Sequence, residues 1–190
     1  MIWIPAGEFP GGEPDSLNSM FIKEFYIDKY EVTQREYKQV MSNNPSYFKC
    51  EDCSVENVIW YEADEYCRRV GKRLPTEWEW EKAAKAGTTS KYYWGDSESM
   101  SDGYAWYYKN SGNKTHPVGQ KKPNAYGLYD MLGNVWEWTS SDHGSNNKIL
   151  RGGSWSDNLN LLWSSVRLWY LPTNRLNYGI GFRCADGLFR

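Results

Sequence analysis

Beyond residue 90 this chain carries turn-forming residues so closely spaced that no long helix can fit between them. Trp94-Gly95-Asp96, Ser111-Gly112-Asn113, Lys122-Pro123-Asn124 and Leu132-Gly133-Asn134 each break regular structure. That density predicts short strands joined by many loops. Short strands bury little area of their own, so the core has to come from large side chains. The chain supplies them: 17% of its residues are aromatic, with 11 Trp and 15 Tyr. Such a composition belongs to a chain that folds, since disordered segments are poor in aromatics. Its 190 residues suit a single domain spanning 1–190.

Helices are expected only in the first half. Thr33-Gln34-Arg35-Glu36 is a capping box, and Tyr37, Val40 and Met41 continue it as an apolar face. A second helix is predicted over residues 61–70, with Ala63, Tyr66, Cys67 and Val70 on one side and Gly71 as its stop. Pro75-Thr76-Glu77-Trp78-Glu79 repeats the capping-box pattern and starts a third helix that ends near Gly87. Ile2-Trp3-Ile4-Pro5 reads as a first strand, not as a charged segment followed by an apolar one. Further strands are predicted over 135–139, 148–151 and 181–185. The class is α+β.

The formal net charge is -2 and the pI about 5.8. With no basic stripe, binding to nucleic acid through phosphate neutralisation is not expected. No apolar run approaches the roughly 20 residues a membrane-spanning helix needs. Four cysteines are present: Cys50, Cys53, Cys67 and Cys184. Cys50 and Cys53 have metal or redox spacing, but the two histidines, His116 and His143, are far off in sequence. A local disulfide or two free thiols is the preferred reading. Both histidines read as exposed loop residues.

Several long motifs occur in a specific order. They include Val58-Ile59-Trp60-Tyr61-Glu62-Ala63, Gly71-Lys72-Arg73-Leu74-Pro75-Thr76-Glu77-Trp78-Glu79-Trp80-Glu81, Asn124-Ala125-Tyr126-Gly127-Leu128-Tyr129-Asp130-Met131, Gly133-Asn134-Val135-Trp136-Glu137-Trp138-Thr139, Leu150-Arg151-Gly152-Gly153-Ser154-Trp155 and Gly181-Phe182-Arg183-Cys184. Together they resemble the sulfatase-modifying-factor family, whose founder is the formylglycine-generating enzyme. The resemblance runs from about residue 2 to residue 185. It implies a C-type-lectin-like fold with two to three short helices, small antiparallel sheets and many loops. Most of the motif residues read as scaffold: Trp78, Trp136, Trp138 and Trp155 as core and loop anchors, and Arg73, Arg151 and Arg183 as donors to irregular backbone.

In the enzyme that this chain resembles, two cysteines follow the Gly-Gly-Ser-aromatic segment, bind copper and carry the oxidation. Here those positions fall at Asp157 and about Leu162. Neither supplies a thiolate, so formylglycine generation is not expected. The resemblance further implies a disulfide between Cys67 and Cys184, which an oxidising compartment would allow. It also implies a calcium site at the loop matching Gly133-Asn134-Val135-Trp136-Glu137, although Glu137 could instead bond backbone amides. Iron oxidases of the same family use histidine clusters that two lone histidines cannot build. No other cofactor is expected.

The stretch from Trp155 to Arg183 is unusually apolar and aromatic for a loop-rich region, which marks an interaction site. It resembles the variable proteins of diversity-generating retroelements, a second branch of this fold. There, adenine-specific errors rewrite Asn codons in a C-terminal variable region, and Lys, Glu, Gln, Met and Trp cannot arise. Residues 1–155 contain 35 Lys, Glu, Gln or Met, and residues 156–190 contain none. Trp163 and Trp169 are then fixed template residues. A loop-rich, small-residue composition would produce the same deficit. On this reading residues 156–183 form a variable region. Its candidate ligand-binding residues are Ser156, Asp157, Asn158, Asn160, Leu161, Leu168, Tyr170, Leu171, Asn174, Leu176, Asn177 and Tyr178. Tyr170 and Tyr178 are the expected anchors, and Leu161 and Leu168 read equally well as core. The expected function is non-enzymatic ligand binding, with a protein or cell-surface ligand. The alternatives are a divergent metal-dependent oxidase and a fixed accessory domain. The family resemblance suggests display at a cell surface or outside the cell.

Overall fold

The computed structural model describes residues 1–12, 19–175 and 178–187. Three helices lie in the first half. Helix α1 (Gln34–Met41) begins at a closed capping box: the Glu36 amide donates to Thr33 Oγ1 at 3.2 Å, and the Thr33 amide donates to the Glu36 carboxylate at 2.9 Å. Helix α2 (Trp60–Arg69) is entered through Glu62, whose carboxylate accepts the Ile59 amide. Helix α3 (Glu77–Lys85) repeats the reciprocal cap with Thr76 and Glu79, and stops at Ala86 in a left-handed conformation.

The strands are short, as the turn spacing requires. They are β1 (Ile2–Ile4), β2 (Gly7–Pro10), β3 (Ser19–Ile22), β4 (Phe25–Ile27), β5 (Trp136–His143), β6 (Asn147–Arg151), β7 (Arg167–Tyr170), β8 (Ile180–Gly181) and β9 (Ala185–Gly187). They form a three-stranded sheet in the order β1-β4-β9, a β2-β3 ribbon, and a four-stranded sheet in the order β7-β6-β5-β8. In the last of these, β5 and β8 are parallel while β5-β6 and β6-β7 are antiparallel. The single strand expected over 181–185 is in fact two, in different sheets. Between them the carbonyls of Phe182 and Cys184 accept the amides of Val32 and Asp28. Those isolated bonds guide the chain from one sheet to the other. Strand β7 was not expected at all.

Two apolar clusters fill the interior. One packs α3 and the first sheet against the central loops, through Ile4, Phe25, Trp80, Tyr92, Leu128 and Leu162. The other packs α1 and α2 against the four-stranded sheet, through Tyr37, Tyr66, Leu74, Trp138, Leu150 and Phe182. Trp80 and Trp138 are fully buried, and their indole N–H groups donate to Glu137 and to the Val58 carbonyl. Their rings supply the burial and their polar tips tie the strands to the loops.

Arg183 joins the halves. It is fully buried and donates to both oxygens of Glu137 and to the carbonyls of Asp28 and Tyr129. Arg151 is equally buried and links Glu77 and Glu81 of α3 to the carbonyl of Ser165. Arg73, by contrast, spends most of its donors on the Glu79 carboxylate, not on backbone. Two disulfides are formed. Cys67–Cys184 ties α2 to the segment between β8 and β9, and Cys50–Cys53 closes a small loop after α1. No described helix is long and apolar enough to cross a membrane.

Candidate functional site

After β6 the chain turns through Gly152 and Gly153. Gly153 has φ +76°, and a Cβ there would lie 2.7 Å from Leu162 Cδ1 and 3.0 Å from the Leu161 carbonyl. Only glycine meets both demands. Asp157 then holds the turn. Its Oδ2 accepts the Ser154 amide at 2.9 Å, the Ser154 hydroxyl at 2.6 Å and the Trp136 indole N–H at 2.8 Å. Its carbonyl accepts the Tyr108 amide. Leu162 lies fully buried in the first core cluster. The two positions equated with copper-binding cysteines therefore hold a turn-capping carboxylate and a core leucine. That donor set does not fit a soft metal ion.

The other candidates separate by exposure. Ser156, Asn158, Asn160 and Leu171 are exposed, and so is Tyr178. Asn158 and Asn160 line a cleft of about 490 Å³ with Glu98, Ser99, Tyr107 and Lys109. Leu161, Leu168 and Tyr170 are partly buried and packed against the second core cluster. Asn174 is half-buried, with its amide on the Leu171 carbonyl. Leu176 and Asn177 lie outside the described residues.

The structure adds neighbours that the sequence did not reveal. Tyr178 stacks on Tyr47, with ring centroids 4.3 Å apart. Tyr47 meets Phe48 edge-on, and Phe48 meets Trp155 edge-on at 5.4 Å. The Trp155 indole donates to the Tyr178 carbonyl, closing the ring of contacts. Tyr47, at 60% exposure, extends this aromatic face outside the C-terminal stretch. One signal for Tyr47 and Phe48 was present: an aromatic pair in a polar, turn-rich loop with no apolar period to bury it.

Glu56 holds that loop. Its carboxylate accepts the Phe48 amide at 2.9 Å, its amide donates to Ser46 Oγ, and its Oε2 is buried with no partner. Burial pushes its pKa up to about 7, against smaller opposing effects of the Phe48 and Tyr47 amides and Lys49. The folded state therefore binds a proton that the unfolded state has lost between about pH 4.5 and pH 7. This group's contribution is complete at the acid end and falls as pH rises through that window, by up to about 3 kcal/mol. Glu56→Gln is expected to remove that part of the slope. Urea unfolding of both proteins from pH 4.5 to pH 8 measures it as the change in their stability difference.

The calcium reading and the histidine reading both change. Each Glu137 oxygen is already taken by Arg183, and Oε2 also accepts the Trp80 indole. The loop thus does not offer a cation the free carboxylate that the resemblance implies. Among the described residues no three His, Cys, Asp or Glu side chains converge as a metal site. His116 is not an exposed loop residue: it is half-buried and stacked on Trp106 at 3.7 Å, with Nε2 at the Ser111 carbonyl. His143 ends strand β5 and stacks on Trp169 at 4.0 Å. Each is held by an aromatic neighbour that only the tertiary fold supplies.

Short strands, three capped helices and a loop-borne aromatic face define a C-type-lectin-like domain of the formylglycine-generating type. The chain belongs to the sulfatase-modifying factor enzyme 1-like domain family, whose model matches residues 1–188. It is similar to the inactive C-alpha-formylglycine-generating enzyme 2 of Bos taurus, at 38% identity over 72% of this chain and 51% of that one. The chain thus spans about half the length of that relative. It is also similar to the chaperone protein LppX of Paenibacillus barcinonensis, at 33% identity over 84% of this chain and 80% of that protein. Among solved structures, Treponema denticola variable protein 1 superposes with a TM-score of 0.91 at 31% identity, covering 98% of this chain and 94% of that one.

Proposed function

We propose that this domain is a non-enzymatic ligand-binding protein whose residues 156–183 form a diversified surface of the retroelement type. One observation carries the reading. The frame of this stretch is held by buried groups, while five of its candidate side chains face solvent. Arg151, Leu162, Ser164, Ser165 and Ile180 are buried, whereas Ser156, Asn158, Asn160, Leu171 and Tyr178 face solvent. Side chains of the second set can change without disturbing the first, which is what a variable surface on a rigid scaffold needs. The likeness to a variable protein supports the reading, and so do the replaced cysteine positions at Asp157 and Leu162. The ligand we propose is a protein, met at a cell surface or outside the cell. Two disulfides support such an oxidising location.

Sequencing of the encoding locus tests this reading. The expected result is a second, near-identical copy of the 155–183 coding stretch, with AAC or AAT at the codons of Ser156, Leu171 and Tyr178, beside a reverse-transcriptase gene. A complete genome without such a copy removes the diversified surface and leaves a fixed binding domain. The structure also separates the two expected anchors. Tyr178→Ala should leave stability within about 0.5 kcal/mol of wild type, whereas Tyr170→Ala, which empties a place against the core, should cost about 2 kcal/mol. Thermal unfolding distinguishes them.

A further inference from the structure

We propose that Glu56 is a proton-operated latch on the Tyr47–Phe48 corner of the aromatic face, closed by acid and loosened as pH rises toward neutrality. That this corner takes part in binding rests on the reading of residues 156–183 as the ligand face. The latch itself stands on the corner's own geometry. Tyr47, Phe48 and Glu56 all lie outside the 156–183 stretch, so the latch would stay the same while that stretch varied.

The corner reaches the face through its rings, Tyr47 on Tyr178 and Phe48 on Trp155. Behind the rings it is held by hydrogen bonds. Glu56 accepts the Phe48 amide at 2.9 Å through Oε1, and its own amide donates to Ser46 Oγ at 3.1 Å. The Phe48 carbonyl accepts Gln34 Nε2 of α1, and the Pro45 carbonyl accepts the Asn57 side chain. Of these side chains only Glu56 can change its charge. It has no exposed surface, and its Oε2 has no hydrogen-bond partner. An ionised carboxyl in that place leaves one charged oxygen with nothing to solvate it, whereas the neutral acid carries no such charge. Water can relieve the charge only when the 44–53 loop moves off Glu56, and that movement takes both rings with it.

Little counter-charge is at hand. Lys49, on the same loop, exerts a smaller pull on Glu56 and rests its ammonium on the Asn44 carbonyl. Arg175 donates to the neighbouring Asn57 carbonyl but is paired with Glu62 of α2. Further along the loop, Glu51 and Asp52 are paired with Arg35 of α1. Helix α1 presents the neutral Gln34 to the Phe48 and Ser54 carbonyls. Strand β8, which passes over the Val55 carbonyl at Gly181, has no charged residue. Burial accordingly pushes the Glu56 pKa from its ordinary 4.5 up to about 7. Lifting the loop returns the hydrated carboxyl to the ordinary value. The closed corner therefore keeps its proton to higher pH than the open one, so acid favours closure. The equilibrium constant for opening grows about tenfold per pH unit between those two values and is flat above them, a change of roughly 300-fold in all.

Hydrogen exchange of the Phe48 amide, whose acceptor is Glu56, reads the latch without any ligand. Its protection factor is expected to fall roughly 300-fold from pH 4.5 to pH 7 and then level off, with little change in low urea, because a local opening exposes little surface. In Glu56→Gln, which keeps the acceptor and cannot ionise, protection should stay within about threefold over the same range. Equal protection at both ends of the wild-type profile overturns the inference, and so does the same slope in Glu56→Gln. Exchange with the protection and urea sensitivity of the Trp80 amide in α3 also overturns it, since that assigns the pH effect to global unfolding. The wild-type profile decides alone if the variant folds poorly. Peptides selected from a random display library on the immobilised full chain at pH 5 test the link to binding. A peptide that needs Tyr178 should slow Phe48 exchange about 100-fold when present at about 100 times its Kd, because it binds only the closed corner. A Tyr178-dependent peptide that leaves Phe48 exchange unchanged removes the corner from the ligand face and overturns that link. Peptides indifferent to Tyr178→Ala overturn the face reading itself, and the exchange profile still decides the latch.

Discussion

Replacing Cys67 and Cys184 together by alanine is expected to cost about 5 kcal/mol, as much as a marginally stable domain possesses. The bridge spans 117 residues. Cutting it frees most of the unfolded chain to explore conformations that the closed loop forbids. The Cys50–Cys53 bridge has a sequence separation of 3 and should matter far less, with about 2 kcal/mol expected from the same relation. Urea unfolding of the two paired-alanine variants provides the comparison. Equal losses would show that loop closure is not the source of the stabilisation.

Arg183→Met should be nearly as damaging, at about 4 kcal/mol. Arg183 is the cation that faces three buried carboxyl groups. Burial raises the pKa of Glu31 well above the carboxylate range, with Asp130 and Glu137 adding to the rise. Burial likewise raises Asp130 to about 6, while the Gly119 amide and Arg183 pull it back. Without the guanidinium, the three carboxyl groups lose their shared counter-charge, and Glu137 keeps only the Trp80 indole as a partner among the described residues. A methionine fills the volume but supplies no charge, so the loss measures the pairing more than the packing. The deficit should shrink as pH falls below neutral, because Glu31 and Asp130, both raised by burial, then take up protons at little cost. Unfolding of the variant at pH 8 and pH 5 reads this directly. A deficit that does not change with pH would place the effect in packing.

Much of the fold was legible because its signals are local. Thr33 with Glu36 and Thr76 with Glu79 cap helices across three residues, and the structure contains both helices with both reciprocal bonds. Strand β7 was illegible for the converse reason. Along it Leu168 and Tyr170 turn towards the core and Trp169 turns out at 49% exposure, an alternation too short to register as a period. The expected strand over 181–185 failed because its partners are the amides of Asp28 and Val32, far away in sequence. In the site, exposure divided the named candidates. Asp157 is spent on a turn, Leu161, Leu168 and Tyr170 lean on the core, and Tyr47 joins from a loop before α2.

From its order of residues alone this chain revealed its family motifs, its helix starts, the absence of cysteine at positions 157 and 162, and a C-terminal stretch free of Lys, Glu, Gln and Met. Each of these is a matter of which residue stands where, or of contacts within one helical turn. The tertiary structure alone decided which side chains of that stretch face solvent and which rings gather beside them. In a loop no helical or strand period relates one side chain's direction to the next. Direction there is set by partners distant in sequence, such as Trp136 for Asp157 and Tyr47 for Tyr178.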